Sequence, residues 1–137
     1  MNISSRCEYA CRAVVELGRL QNNEEPVRAT DIAEKRGIPE KYLVHIMLQL
    51  KRAGIVRSVR GAQGGYMLAQ SPEDITLFSI VNAIDGPVLD PLPVEDSRAP
   101  DLEISWKAVA KGINRVLEGV TVRDLLDRAA KADMYYI

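Results

Sequence analysis

Apolar residues recur every three or four positions through most of this chain, which is the spacing of amphipathic helices. The stretch from Ile38 to Leu68 shows this pattern most clearly. Between Pro39 and Gly54 one stripe is apolar and the opposite face is polar; the stripe consists of Leu43, Ile46, Met47 and Leu50. The pattern predicts a helix that begins at Pro39, buries one face and closes at Gly54 in a left-handed conformation.

After Gly54 the pattern becomes extended and glycine-rich. A strand is predicted from Ile55 to Arg60, and residues 61–65 can turn the chain back into a second strand, Tyr66-Met67-Leu68. A short helix is predicted just before this stretch, with Thr30 as its N-cap and Gly37 as the turn residue. Two helices joined by a tight turn and followed by a hairpin form a winged helix-turn-helix, which reads DNA.

Four further helices are predicted around this motif. The first is capped by Ser4 or Ser5, another by Thr76, which we expect to pack under the hairpin, and a last one by Thr121. The long helix that begins at Asp101 carries apolar residues spaced 4, 3, 4, 3 and 4 apart: Leu102, Trp106, Val109, Ile113, Val116 and Val120. Such a heptad seam needs a partner helix and predicts a homodimer.

These elements predict a mainly α fold with a small β-hairpin wing, namely a winged helix-turn-helix plus a long dimerisation helix. We divide the chain into a DNA-binding domain at 1–86, a proline-rich connector at 87–100, and the dimerisation helices with a C-terminal tail at 101–137.

Charge is distributed unevenly along the 137 residues, although the net charge is only -1. Residues 28–72 carry an excess of five positive charges, and residues from 73 onward an excess of five negative charges. The basic excess coincides with the predicted motif, as double-stranded DNA requires of a partner. No apolar run approaches the roughly 18 residues of a membrane span, and the N-terminus has no secretion pattern, so we expect a cytoplasmic protein without membrane contact.

The candidate DNA-binding residues lie on the polar face of the reading helix, on the wing and at the start of the supporting helix. They are Thr30, Lys41, Val44, His45, Arg57 and Arg60. His45 is the only histidine, which argues against a multi-histidine metal site or a serine hydrolase. The sequence has no nucleophile-and-base pair and no phosphate-cradling loop, so we expect neither an enzyme nor a bound cofactor.

Cys7 and Cys11 are the only cysteines and lie one helical turn apart. Their Cβ atoms would be about 5–6 Å apart, farther than the roughly 3.8 Å typical of a disulfide. Two interpretations stay open: ordinary core cysteines, or a thiol-redox sensor that would regulate DNA binding.

Several stretches resemble one known family. Residues 58–68 read SVRGAQGGYML, residues 51–56 read KRAGIV, and the chain begins with SRCEYA at 5–10. With Ala83-Ile84-Asp85-Gly86-Pro87, these are similar to the Rrf-type regulators, the bacterial winged-helix family that includes IscR, NsrR and CymR. The resemblance runs nearly end to end and implies a DNA-binding transcriptional regulator, namely a repressor that binds a near-palindromic operator as a homodimer.

The connector departs from the cluster-binding members of that family, which carry three cysteines there. Residues 86–100 contain none, and a cluster needs thiolate or imidazole ligands. The chain therefore resembles the clusterless, CymR-like branch, which implies control of sulfur and cysteine metabolism through binding of cysteine synthase. The tail residues Tyr135, Tyr136 and Ile137 resemble the acetyltransferase tail that occupies the synthase active site, and a partner-binding regulatory subunit remains an alternative.

Overall fold

The computed structural model describes residues 2–21, 24–94 and 96–136, without the side chains of Tyr135 and Tyr136. The described residues form six helices and one antiparallel hairpin, which confirms the predicted fold class. In chain order the elements are α1 (Ser5–Arg19), α2 (Ala29–Arg36), α3 (Glu40–Arg52), β1 (Val56–Val59), β2 (Gly65–Leu68), α4 (Leu77–Ile84), α5 (Pro100–Glu118) and α6 (Val122–Tyr136).

Helix α1 lies at the centre of the packing. The Ser4 hydroxyl caps it by accepting a hydrogen bond from the Cys7 N–H at 3.0 Å. It contacts α2, α3, α4, α6 and β2, and its side chains Val14 and Leu17 join the core. The four apolar residues predicted for the inner stripe of α3 are all buried in the same core, as expected.

The wing consists of β1, β2 and the turn between them. Val56 pairs with Leu68 and Val59 with Gly65, so the strands are in simple antiparallel register. The Val27 N–H donates to the Tyr66 carbonyl at 2.9 Å, and the Tyr66 N–H donates back to Val27 at 2.8 Å. A Cβ at Gly65 would lie 2.4 Å from the Val27 carbonyl oxygen, so only glycine permits this approach.

Helix α4 begins at a capping box in which Thr76 and Ser79 each bond the other's backbone N–H. Its main contacts are with α1, α3 and α5, so the expectation that it packs under the wing was wrong. The inner side of the wing is instead covered by α1 and by Val27.

Backbone hydrogen bonds join the start of α6 to the start of α4. Leu77 N–H donates to the Val120 carbonyl at 2.9 Å, and Val122 N–H donates to Ile75 at 2.8 Å. Helix α5 ends at Glu118, so Val120 lies outside it and the predicted seam stops at Val116. Helix α6 then packs on α1. The division of the chain into domains at residues 86 and 100 stays a prediction.

Helix α5 has a different environment from the other helices, since none of its residues is buried. Five large apolar side chains on it are between 45% and 69% exposed: Leu102, Ile104, Trp106, Val109 and Val116. No helix among the described residues is both long and apolar enough to cross a membrane.

Candidate DNA-binding surface

The turn between α2 and α3 has the geometry of a helix-turn-helix. Gly37 ends α2 in a left-handed conformation with φ of 64°, and Ile38 then inserts into the core. Pro39 is the N-cap of α3, so the helix begins at Glu40, one residue after the predicted start. The turn therefore fixes the angle at which α3 leaves α2.

Thr30 was wrongly predicted as the N-cap of α2. The N-cap is Arg28, and Thr30 lies exposed in the first helical turn. The reason is the preceding pairing: because Val27 is held by Tyr66, the chain turns into the helix at the next residue. Thr30 remains a candidate phosphate contact at the start of α2.

The outer face of α3 presents the predicted reading residues together. Val44 and His45 lie three and four residues after Lys41, so these three predicted residues share one face, and all three are exposed. Leu48, which was not among the predicted contacts, lies on the same face and is exposed as well. Val44 is 62% exposed, although it is apolar. An apolar side chain in this position can contact the methyl group of thymine, and His45 can bond a base edge.

Aromatic and polar contacts hold α3 against α1. The rings of Tyr9 and Tyr42 stack with centroids 6.1 Å apart, and the Lys41 ammonium lies 5.1 Å from the Tyr42 centroid. Arg6 also donates to the side-chain oxygen of Gln49. Our sequence reasoning missed these contacts, because helical spacing does not show which aromatic residues of different helices meet.

Glu16 is a buried carboxylate that joins α1 to the end of α2. It is 2% exposed and accepts bonds from Arg19 at 2.6 Å and Arg36 at 3.0 Å. Burial raises the pKa of Glu16, but the hydrogen bonds and charges of the two arginines outweigh burial, so the pKa lies below its ordinary value. Arg12 adds a bond to the Arg36 carbonyl at 3.2 Å, and together these residues brace the supporting helix.

The two wing arginines lie in different settings. Arg60 follows the end of β1 and is exposed at the turn of the wing. Arg57 projects from the middle of β1, and its guanidinium donates to the Met67 sulfur at 3.3 Å. Arg28, which the sequence analysis did not select, donates to the Ala62 carbonyl at 2.9 Å and so connects α2 to the turn of the wing.

The two cysteines are free thiols on the inner side of α1, Cys7 buried and Cys11 half-buried. The hydrogen bond between them, followed by burial, raises the pKa of Cys7, whereas the same bond lowers the pKa of Cys11. The redox interpretation stays a hypothesis. The tail prediction falls on Ile137 and on the side chains of Tyr135 and Tyr136, all of which lie outside the described residues.

A supporting helix, a reading helix and a glycine-rich wing with a basic surface define a winged helix-turn-helix DNA-binding protein. The chain matches the Rrf2 family, described as iron-dependent transcriptional regulators, over residues 3–128. It belongs to this family, which confirms the resemblance found in the sequence and the expectation that the protein is a regulator and not an enzyme.

Relatives support this assignment along the whole chain. The transcriptional regulator CymR of Bacillus subtilis is 32% identical over 140 residues, and the alignment covers both chains completely. The solved structure of CymR (YrzC), the global cysteine regulator of B. subtilis, superposes with a TM-score of 0.80 at 30% identity, covering 93% of this chain and 98% of that one. The structure of T. potens IscR superposes with a TM-score of 0.79 at 36% identity, covering 96% of this chain and 90% of that one.

The family description mentions iron, so the available ligands matter. The connector has neither cysteine nor histidine, and both cysteines lie on α1. Among the residues that the structure describes, no three histidine, cysteine or carboxylate side chains are placed to share a metal ion. The described residues therefore do not fit an iron–sulfur cluster, which is held mainly by thiolates with occasional imidazole ligands.

Proposed function

We propose that this protein is a homodimeric transcriptional repressor that binds a near-palindromic operator and works without an iron–sulfur cluster. The observation that supports the dimer best is α5, a helix of 19 residues with no buried side chain and an exposed apolar face. Large apolar patches on a helix face are rare on monomers and mark contact surfaces. A second α5 offers the same seam and is the natural partner.

In this proposal the two α3 helices enter successive major grooves, about 34 Å apart. Val44 and His45 face the base edges and read sequence, while Lys41 and Thr30 contact phosphates beside them. Arg60 at the turn of the wing contacts the backbone or the narrow minor groove next to each half-site. Binding over a promoter then blocks transcription in the cytoplasm.

The test is operator selection from random duplexes followed by titration of Arg60→Gln at several salt concentrations. We expect weaker binding to every sequence and a salt slope reduced by about one, since one phosphate contact is lost. The control is Arg98→Gln, which removes the same charge from the connector, where Arg98 pairs with Asp96 at 2.9 Å. Equal affinity of Arg60→Gln and wild type would refute the wing contact. Selection of single half-sites would refute the dimeric operator.

The regulated genes in this proposal belong to cysteine metabolism. The support is the likeness to the global cysteine regulator of B. subtilis along almost the whole chain. Cysteine synthase is then the partner that carries the sulfur signal, with Tyr135, Tyr136 and Ile137 as its contact residues. Titration with the synthase should give a complex that a Tyr135→Ser, Tyr136→Ser double variant loses. No complex with the intact chain would remove this partner and leave the DNA-binding proposal standing.

A further inference from the structure

A cavity of about 450 Å³ lies behind the wing, on the side away from the tip of the turn. One wall is formed by the strands of the wing, and the others by the end of α1, the segment before α2 and the start of α6. We call it the wing cavity. Its size lies within the range of small-molecule sites in proteins.

The charges around the wing cavity are of both signs. Arg57 reaches it from β1, and Glu24 and Glu25 reach it from the segment before α2. Arg123 and Glu73 also line it, but they neutralise each other in an ion pair at 2.9 Å. Among the described residues no ion pair joins Arg57 to a carboxylate, and the polar contact that it makes is with the Met67 sulfur, a weak acceptor.

The remaining lining combines the polar residues Gln21 and Ser71 with a smaller apolar part. Leu17 and Leu20 come from α1, and Leu68 and Pro72 from the wing and the segment that follows it. A purely anionic ligand would be repelled by Glu24 and Glu25, and a purely cationic one by Arg57. A ligand with a carboxylate, an ammonium group and an apolar side chain satisfies all three parts of the lining.

We propose that the wing cavity binds a free α-amino acid with an apolar side chain. Arg57 bonds the carboxylate through its planar pair of N–H donors, as guanidinium groups do. Glu24 and Glu25 receive the ammonium group, and the leucine and proline side chains cover the apolar part. This assigns Arg57 to a ligand site instead of to DNA.

Occupation of the wing cavity would act on the wing directly. Arg57 belongs to β1, and Glu25 lies two residues before Val27, whose backbone is bonded to Tyr66 of β2. The next residue, Arg28, holds the Ala62 carbonyl at the turn. A ligand that joins Arg57 to the glutamates therefore adds a further link at the base of the wing, and its effect on DNA affinity rests on the proposed role of the wing in DNA binding.

The binding test uses three probes of similar size: L-leucine, L-leucinamide, which lacks the carboxylate, and 4-methylpentanoic acid, which lacks the ammonium group. Each is titrated at millimolar concentration into the full chain and followed by amide chemical shifts. We expect L-leucine to shift the amides of Leu20, Arg57 and Met67 and to bind at least about tenfold more tightly than either analogue, the effect of losing one charged hydrogen bond. Equal binding of the three probes, or no shifts at these amides, would overturn the proposal.

Two variants complete the test. Arg57→Gln should abolish the preference for L-leucine over L-leucinamide, whereas Arg98→Gln should keep it. Arg60→Gln should bind L-leucine normally while losing DNA affinity. If Arg57→Gln weakens operator binding as much as Arg60→Gln does, Arg57 is a DNA contact and the ligand assignment is wrong. Failure of L-leucine binding alone leaves the repressor proposal intact.

Discussion

Helices α3 and α5 carry apolar stripes of nearly the same spacing but differ in what covers them. The stripe of α3 is buried by α1, α2, α4 and β1 of the same chain. Five large apolar residues of α5 are instead between 45% and 69% exposed. The comparison teaches that helical periodicity predicts that a face will be covered, but not whether the covering surface belongs to the same molecule.

The difference has a thermodynamic consequence. Each large apolar side chain that α3 buries contributes about 1.5–3 kcal/mol to folding of the single chain. In the proposed dimer, the corresponding contribution of α5 becomes available only on association, so it depends on protein concentration. Substitutions in the two helices should therefore change different measurable quantities.

The largest effect is expected for Val109→Glu on the α5 seam. A charge buried between two helices prevents association, so the variant should be a folded monomer that has lost roughly 10³-fold or more of its operator affinity, the gap between specific and non-specific binding. Light scattering and operator titration measure both. Val44→Glu on α3 is the matched control: it should weaken DNA binding and leave the dimer intact. A dimeric Val109→Glu protein would contradict the assignment of the seam.

Next in size is Ile46→Ala in α3, where the side chain is fully buried. Removing it should lower the free energy of unfolding by about 2–5 kcal/mol, since it deletes packed methyl groups and leaves a cavity. The control is Ile104→Ala, an equal truncation on α5 at a residue off the seam and 69% exposed. It should change stability by less than about 0.5 kcal/mol. Denaturant unfolding at fixed protein concentration compares the two, and equal losses would refute the contrast.

A smaller effect, and one that depends on pH, is expected for Glu16→Gln. Above pH 4.5, the ordinary pKa of the group, the change should cost about 1–3 kcal/mol, because Arg36 and Arg19 lose their buried partner. The pKa of Glu16 is lowered by folding, so this stabilisation should disappear as the pH falls through the folded pKa. The exposed Glu8, paired with Arg12, is the control, and Glu8→Gln should cost about 0.3–0.5 kcal/mol. A pH-independent difference between Glu16→Gln and wild type would argue against an ionised Glu16.

The smallest effect is expected for Thr76→Ala, at the point where the start of α4 pairs with the segment between α5 and α6. Loss of the capping bond to the Ser79 N–H should cost about 1 kcal/mol. The matched change Thr121→Ala removes the corresponding bond to the Asp124 N–H at the start of α6 and should cost a similar amount. Thermal unfolding measures both. A cost near zero would mean that backbone pairing at this joint suffices without the caps.

Most of the fold could be predicted from the sequence, because local signals agreed with the packing. The inner stripe of α3, the glycine turn of the wing and the cap at Thr76 each rest on spacing or on a single residue type that strongly favours one conformation. Thr30 failed for a non-local reason, since pairing of Val27 with Tyr66 starts α2 two residues earlier. The prediction that Val120 continues the seam of α5 was also wrong: Val120 lies beyond the end of the helix, and its carbonyl accepts a bond from the distant Leu77 N–H.

The candidate surface was less predictable than the fold. No pattern in the sequence marks Glu16 as buried, because one of its partners, Arg36, lies 20 residues later in the chain. Arg28 escaped notice because its partner is a backbone carbonyl of the wing, which no side-chain pattern reveals. The two wing arginines looked equivalent in sequence, yet Arg57 lies within β1 and lines the cavity, whereas Arg60 follows the end of the strand.

The bonds that hold the wing also bear on how fast the protein finds its site. Val27 and Tyr66 fix the base of the hairpin, and Arg28 fixes its turn, before any DNA is present. The loss of conformational freedom that a loose loop would suffer on docking has therefore already occurred during folding. Encounters with DNA then need only correct orientation, without a search for the wing conformation, which favours rapid sampling of many sites along the chromosome.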